Sequence, residues 1–219
     1  MSASGSRLTW PLIWINAFPG TGKFTIAKLL TTLLDEGDPL LIDNHSLIDP
    51  VEANFSRDHP NYQQERHRGR DAMFKKFVED AAFQTRIIIF TGEQTQPPVN
   101  FRLPISNLTS RLMVDFQSNN DLGRDVAKEY EAAALRAGRP FLPIYLECDI
   151  KENTRRITSP QRGISGTTKL LSPEILAEIR SRCQLFRFDG VKGITSDITN
   201  MAPEEAAETL AREVVEHLK

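Results

Sequence analysis

The residues best able to do chemistry lie in one short run, Ala17-Phe18-Pro19-Gly20-Thr21-Gly22-Lys23-Phe24-Thr25. An apolar stretch, Leu12-Ile13-Trp14-Ile15, precedes it, and apolar positions at helical spacing follow: Ile26, Ala27, Leu29, Leu30, Leu33 and Leu34. A strand, a glycine-bearing turn and a helix in that order make an anion site. Backbone N–H groups in the turn face the anion, the helix N-terminus adds partial positive charge, and Lys23 brings a mobile full charge to terminal phosphates. Pro19, Gly20, Thr21, Gly22, Lys23, Phe24 and Thr25 are the expected lining of a polyphosphate site. The alternative is a strand-to-helix turn that holds no ligand.

The run departs twice from the pattern G-x-x-x-x-G-K-[ST]. Its first glycine is Ala17, and Phe24 stands where a hydroxyl would follow the lysine, with Thr25 one place later. One residue along a helix is a rotation of about 100°, so Thr25 does not simply replace a metal-binding hydroxyl at the earlier position. Thr25 and Asp43 are the candidate magnesium ligands, Asp43 through water.

Three further groups of residues could complete a reaction. Asp43 ends an apolar run, Pro39-Leu40-Leu41-Ile42, and is followed by Asn44-His45. A carboxylate there can accept a proton from an acceptor hydroxyl or organise a metal; it can equally cap a turn. His45 is a candidate substrate contact or a local backbone partner, and Asp49, before Pro50, reads as a turn former. On the next helix, Met73, Phe74, Phe77 and Ala81 form an apolar stripe that extends backward through Arg70, Arg66 and Tyr62. Two guanidinium groups on a buried face suit an anionic or hydroxylated acceptor, or else reach solvent and nearby acids. The third group is Arg155-Arg156 and Arg162, in a region, 152–171, that runs into a Gly-, Ser- and Thr-rich stretch. Arg156 and Arg162 there could neutralise charge on a transferring phosphoryl group, with 152–171 acting as a lid; a solvated charge run is the alternative.

The elements that must position these residues alternate. Strands are expected at 12–16, 39–43, 86–90, 141–148 and 194–198, and helices at 23–36, 61–83, 121–137, from Asp149, at 172–183 and from Ala202. Such alternation implies an α/β fold, a parallel sheet covered by helices on both faces. A length of 219 residues suits one domain. Residues 92–120, with prolines at 97, 98 and 104, fit no element. They read as a substrate-facing insertion, a surface excursion without a role, or a retained intron in the gene model. With 27 Lys plus Arg against 29 Asp plus Glu, the net charge of −2 gives no reason to expect a nucleic-acid partner. Cys148 and Cys183 form no metal-ligand spacing or disulfide framework. The apolar run at 12–15 is too short for a membrane span, no signal peptide is visible, and the cytoplasm is the expected location.

Together these features resemble the small P-loop kinase superfamily, which includes shikimate and gluconate kinases, adenylate kinases, chloramphenicol phosphotransferase and zeta-toxin-like proteins. The resemblance covers 13–90 and 121 onward. It rests on the phosphate loop, whose lysine–spacer–threonine register is similar to that of adenylate kinases, on the 152–162 run and on the 194–207 ending. It implies a three-layer P-loop NTPase fold with a five-stranded parallel sheet ordered 2-3-1-4-5 and a mobile lid. It also implies ATP and Mg2+ as cofactors, a small-molecule acceptor phosphorylated at a hydroxyl, and adenine lying between the lid base and 189–193. A nucleotide-binding regulatory module and a slow NTPase are the competing functions. Oligomeric state is left open.

Overall fold

Apolar runs too short to be helices become the five strands of one parallel sheet. The computed structural model describes residues 9–43, 45–56, 58–92, 117–160 and 170–219. The strands are β1 (Leu12–Ala17), β2 (Leu40–Ile42), β3 (Ile88–Thr91), β4 (Phe141–Glu147) and β5 (Ile194–Asp197). Their spatial order is β2-β3-β1-β4-β5 and every pairing is parallel, as expected. Central β1 pairs on both sides, Leu12 opposite Ile88 and Phe141, and all six of its residues are buried.

The helices are α1 (Lys23–Leu33), α2 (His45–Glu52), α3 (Tyr62–Met73), α4 (Asp121–Arg136), α5 (Ile150–Ile157), α6 (Pro173–Arg182) and α7 (Pro203–His217). Alternate residues of each strand face opposite layers. Ile13, Ile15, Ile89 and Ile144 pack with Ile26, Leu30 and Leu210 of α1 and α7. Leu12, Trp14, Ile88 and Phe90 pack with Phe74, Val126 and Tyr130 on the other face. This is the three-layer arrangement that the resemblance implies.

Several boundaries differ from expectation. Helix α1 stops at Leu33 because Leu34 turns extended, at φ −84° and ψ 103°. Helix α2 occupies a stretch expected to be a loop, so Asp49 is helical rather than a turn former. The long helix expected to Phe83 continues beyond α3 as a π-helical segment, Phe74–Glu79, and ends at extended Asp80, whose side chain accepts from the Ala82 N–H. Its buried row is Tyr62, Arg66, Arg70, Phe74 and Val78, at a spacing of four throughout. Phe77 is only partly buried and Ala81 is exposed. Asp149 caps α5 by accepting from Glu152 N–H, and its own N–H donates to Thr199 Oγ1.

The two ends of the irregular 92–120 segment meet at the end of β1. Gly92 N–H donates to the Ile15 carbonyl. Asn16, fully buried, donates from Nδ2 to the Gln117 carbonyl (2.9 Å) and accepts from the Gln117 N–H (3.0 Å). The intervening residues 93–116 lie outside the described ones.

At the opposite edge of the sheet, Arg139 gathers loose chain ends. It is 3% exposed and donates to the carbonyls of Val78, Trp10, Arg86 and Phe83 at 2.6–2.9 Å. Burial lowers its pKa, yet a guanidinium has enough donors to satisfy four acceptors that would otherwise lose water without compensation. Arg139→Met keeps much of the bulk and removes the donors. Urea unfolding is expected to show a loss of about 3 kcal/mol or more, since a stranded buried acceptor costs about 1–3 kcal/mol.

Candidate active site

In an open parallel sheet, ligands collect beyond the carboxyl ends of the strands. Here that edge carries, in spatial order, Asp43 after β2, Gly92 after β3, residues 18–22 after β1, Cys148-Asp149 after β4 and residues 198–203 after β5.

The turn after β1 is held open by positive-φ glycines, Gly20 at 84° and Gly22 at 99°. At Gly20 the requirement is also steric: a Cβ would lie 2.0 Å from Ile157 Cγ2. At Gly22 a Cβ would meet nothing within 4 Å, so this side of the turn is open. Helix α1 starts immediately after it, with no side-chain cap and no acid in its first turn. Its leading N–H groups and dipole are therefore not compensated by a capping side chain or by an acid of the helix's own first turn. Lys23 is the first helical residue and is 8% exposed.

Helix α5 braces this turn by its carbonyls. Asn153 Nδ2 donates to the Pro19 carbonyl at 2.9 Å, and Arg156 Nη1 donates to the Thr21 carbonyl at 2.8 Å. Thr21 closes the turn from within, donating from Oγ1 to the Phe18 carbonyl at 3.0 Å. In a planar trans peptide, C=O and N–H point in opposite directions. Drawing the Pro19 and Thr21 carbonyls toward α5 therefore aims the Gly20 and Gly22 N–H groups away from it. That is the arrangement an anion needs.

Arg156, expected to meet a transferring phosphoryl group, lines the cleft beside the turn and already has several internal partners. Besides the Thr21 carbonyl, Nε binds Glu152 (2.8 Å) and Nη2 reaches the carbonyls of Ile198, Thr199 and Met201 at 2.8–3.3 Å. Its place is that of a brace between the turn, α5 and the loop after β5. The residues expected beside adenine, 189–193, do not lie on this edge. They precede β5 and so belong to the opposite edge of the sheet. Gly193 lies against Pro143, near the start of β4. The cleft beside the turn, about 470 Å³, is walled instead by Met201, Ala202 and Pro203 from the loop after β5, with Thr25, Arg156 and Ser159.

The remaining candidates divide. Thr25 lies in that cleft, and Asp43 is not among the residues lining it. Asp43 follows β2 by one residue; its carbonyl accepts from Ser46 N–H and Oγ at the start of α2. Leu41 packs on the α1 face, and alternation puts Asp43 on that face too. His45 begins α2, and its side chain lies outside the described residues, as does Arg162. Arg66 and Arg70 are on the buried face as expected, 2% and 3% exposed, but their partners are internal. Arg66 donates to Tyr62 Oη, which donates to Glu52. Arg70 binds Glu129 of α4 in bidentate fashion, at 2.6 and 3.0 Å. Arg70 thus ties α3 to α4. Asn153, Ile157 and Arg180, which shape the turn, were not picked out from sequence. The only available signal was the spacing of Asn153, Arg156 and Ile157, which puts them on one face of α5.

The donor set fits a triphosphate: two aimed N–H groups, an uncapped helix start and a buried lysine. It fits magnesium less completely. Phe24, 45% exposed, stands at the hydroxyl position, and among the described residues no group of three His, Cys, Asp or Glu could hold a metal.

No protein-family model and no curated protein matches the sequence. Solved structures do match the fold. A thymidylate kinase from Candida albicans superposes with a TM-score of 0.57 at 14% identity, covering 96% of this chain and 92% of that one. A sugar kinase from Janibacter sp. gives 0.55 at 15%, covering 94% and 95%. A gluconokinase from Sinorhizobium meliloti gives 0.51 at 12%, covering 97% of each. The chain therefore has the fold of the small P-loop kinases. Among the described residues, no helix is long and apolar enough to cross a membrane.

Glu152 orients the brace. Hydrogen bonds from Arg155 and then Arg156 pull its pKa from the ordinary 4.5 to about 2. A carboxylate lowered by folding stabilises fully above its unfolded pKa, and that stabilisation fades as pH falls from 4.5 toward 2. In thermal melts across this window, wild type is expected to lose more stability on acidification than Glu152→Gln. The gap between them should close near pH 2.

Proposed function

We propose that this chain is a kinase that transfers the γ-phosphoryl group of ATP to a hydroxyl of a small-molecule acceptor. The observation that carries the reading is the braced turn. Two of its peptides are held by α5 with their N–H groups aimed at one place, beside Lys23 and an uncapped helix start. The shared fold with solved small-molecule kinases supports it.

In this reading the Gly20 and Gly22 N–H groups and Lys23 hold the β- and γ-phosphates. Thr25 faces the α-phosphate side, and the base enters the cleft walled by Met201 and Pro203. ATP supplies the phosphoryl group. Magnesium, if bound, would be held by the nucleotide's phosphates with Thr25 and Asp43 as the candidate residues, and would supply positive charge against the charge of the triphosphate. Asp43, two strands away from β1, faces the acceptor. It accepts the proton of the acceptor hydroxyl as the new oxygen–phosphorus bond forms and the bond to the β-phosphate oxygen breaks, releasing ADP. Lys23 follows the charge that builds on the transferring group. Arg66, buried beneath this half of the edge, is the remaining candidate for shaping the acceptor pocket.

One observation favours a second reading, a nucleotide-binding module without transfer. Phe24 replaces the residue that would fix the metal most directly. Phosphorylation of metabolite pools with labelled ATP separates the two: ATP binding without any labelled product supports the module.

Lys23→Ala is expected to lower phosphoryl transfer by about 100-fold or more. Asp43→Asn is expected to lower kcat by a similar factor of about 100 while leaving ATP affinity nearly unchanged. Calorimetry with ATP and a coupled ADP-release assay measure both. Unchanged turnover in Asp43→Asn would remove Asp43 as the base.

A further inference from the structure

Asn153, which holds the Pro19 carbonyl, is itself held by a residue of α6. Arg180, in the last turn of that helix, donates from Nη1 to the Cys148 carbonyl at 2.8 Å and to Asn153 Oδ1 at 3.0 Å. Its guanidinium lies over the ring of Phe18, 4.7 Å from the centroid, so it touches the turn from a second side. Asn153 is fully buried, and its Nδ2 donates to the Pro19 carbonyl at 2.9 Å.

The chemistry of the three groups fixes their order. A primary amide has a donor end and an acceptor end. Arginine can only donate, so it must take Oδ1. That leaves Nδ2 for the Pro19 carbonyl, which can only accept. Reversed, the amide would set Oδ1 against a carbonyl and its N–H groups against a cation. Each mismatch costs as much as a stranded buried polar group.

We propose that Arg180 is a positioning residue for the phosphate loop, acting through Asn153. It fixes the sense of the Asn153 amide, the amide fixes the Pro19–Gly20 peptide, and that peptide aims the Gly20 N–H. The path joins α6 to the electrostatics of the turn without Arg180 touching the anion. Its consequence for nucleotide rests on the phosphotransferase reading; the geometry stands without nucleotide. The Thr21–Gly22 peptide is held by Arg156 instead, which makes Gly22 an internal control.

The test is the orientation of single amides, read as one-bond N–H residual dipolar couplings on the 15N-labelled, nucleotide-free full chain. Arg180→Met should shift the Gly20 coupling and leave the Gly22 coupling at its wild-type value. In an Asn153→Ala background, Arg180→Met should add no further shift at Gly20. Arg180→Lys, which keeps a donor for Oδ1, should restore the wild-type Gly20 coupling and serves if Arg180→Met does not fold. The proposal is overturned if Gly20 does not respond, if Gly20 and Gly22 respond together, or if the two substitutions act additively. ATP titration of the same proteins separates this from the functional reading. Wild type that binds no ATP sinks the kinase assignment, while the Gly20 coupling still decides the Arg180–Asn153 link.

Discussion

The planarity of the trans peptide is the constraint on which this site depends. A backbone N–H cannot be aimed by itself; it is aimed by what holds the carbonyl on the other side of the same peptide. The chain uses that twice within four residues, with Asn153 on Pro19 and Arg156 on Thr21. Positive φ at Gly20 and Gly22 lets the turn accept both restraints, and the lack of a Cβ at Gly20 lets α5 approach closely enough to impose them. The cradle is therefore built before any ligand arrives, and binding need not pay to orient its dipoles.

Sheet order then decides which chemistry meets which. Central β1 delivers the turn, β4 and β5 deliver the cleft on one side of it, and β3 and β2 carry Asp43 on the other. The irregular segment after β3 leaves and returns at the end of β1, through Gly92 on Ile15 and Gln117 on Asn16. Both its ends are thus anchored beside the turn. Arg139 performs the complementary task at the far edge, where strand entrances and the end of the π-helical segment would otherwise leave carbonyls unpaired.

Much of this was legible in the residues. The strands were visible as short runs of Ile, Leu and Phe, and the phosphate loop as glycines and a lysine between a strand and a helix. The order 2-3-1-4-5 came from family resemblance rather than from periodicity. The buried face of α3 was legible through Arg66 and Arg70, but the pairing of Arg70 with Glu129 was not. Its partner Glu129 lies 59 residues on, and a one-dimensional pattern does not reveal which carboxylate will stand opposite. The bracing contacts of Arg156 were hidden for a related reason: its partners are mostly backbone carbonyls, which every residue has and no sequence marks. Residues 189–193, expected beside adenine, precede β5, and strand direction alone puts such a loop at the edge opposite the turn. The π-helical segment left no sign in composition.

The most direct measurement compares ATP, inorganic tripolyphosphate and adenosine as ligands in the presence of magnesium, by calorimetry on wild type and Lys23→Ala. The account requires ATP and tripolyphosphate to bind wild type, both to weaken sharply in the variant, and adenosine to bind far more weakly than ATP. Adenosine binding as well as ATP, or tripolyphosphate indifferent to Lys23, would show that the turn does not grip the polyphosphate.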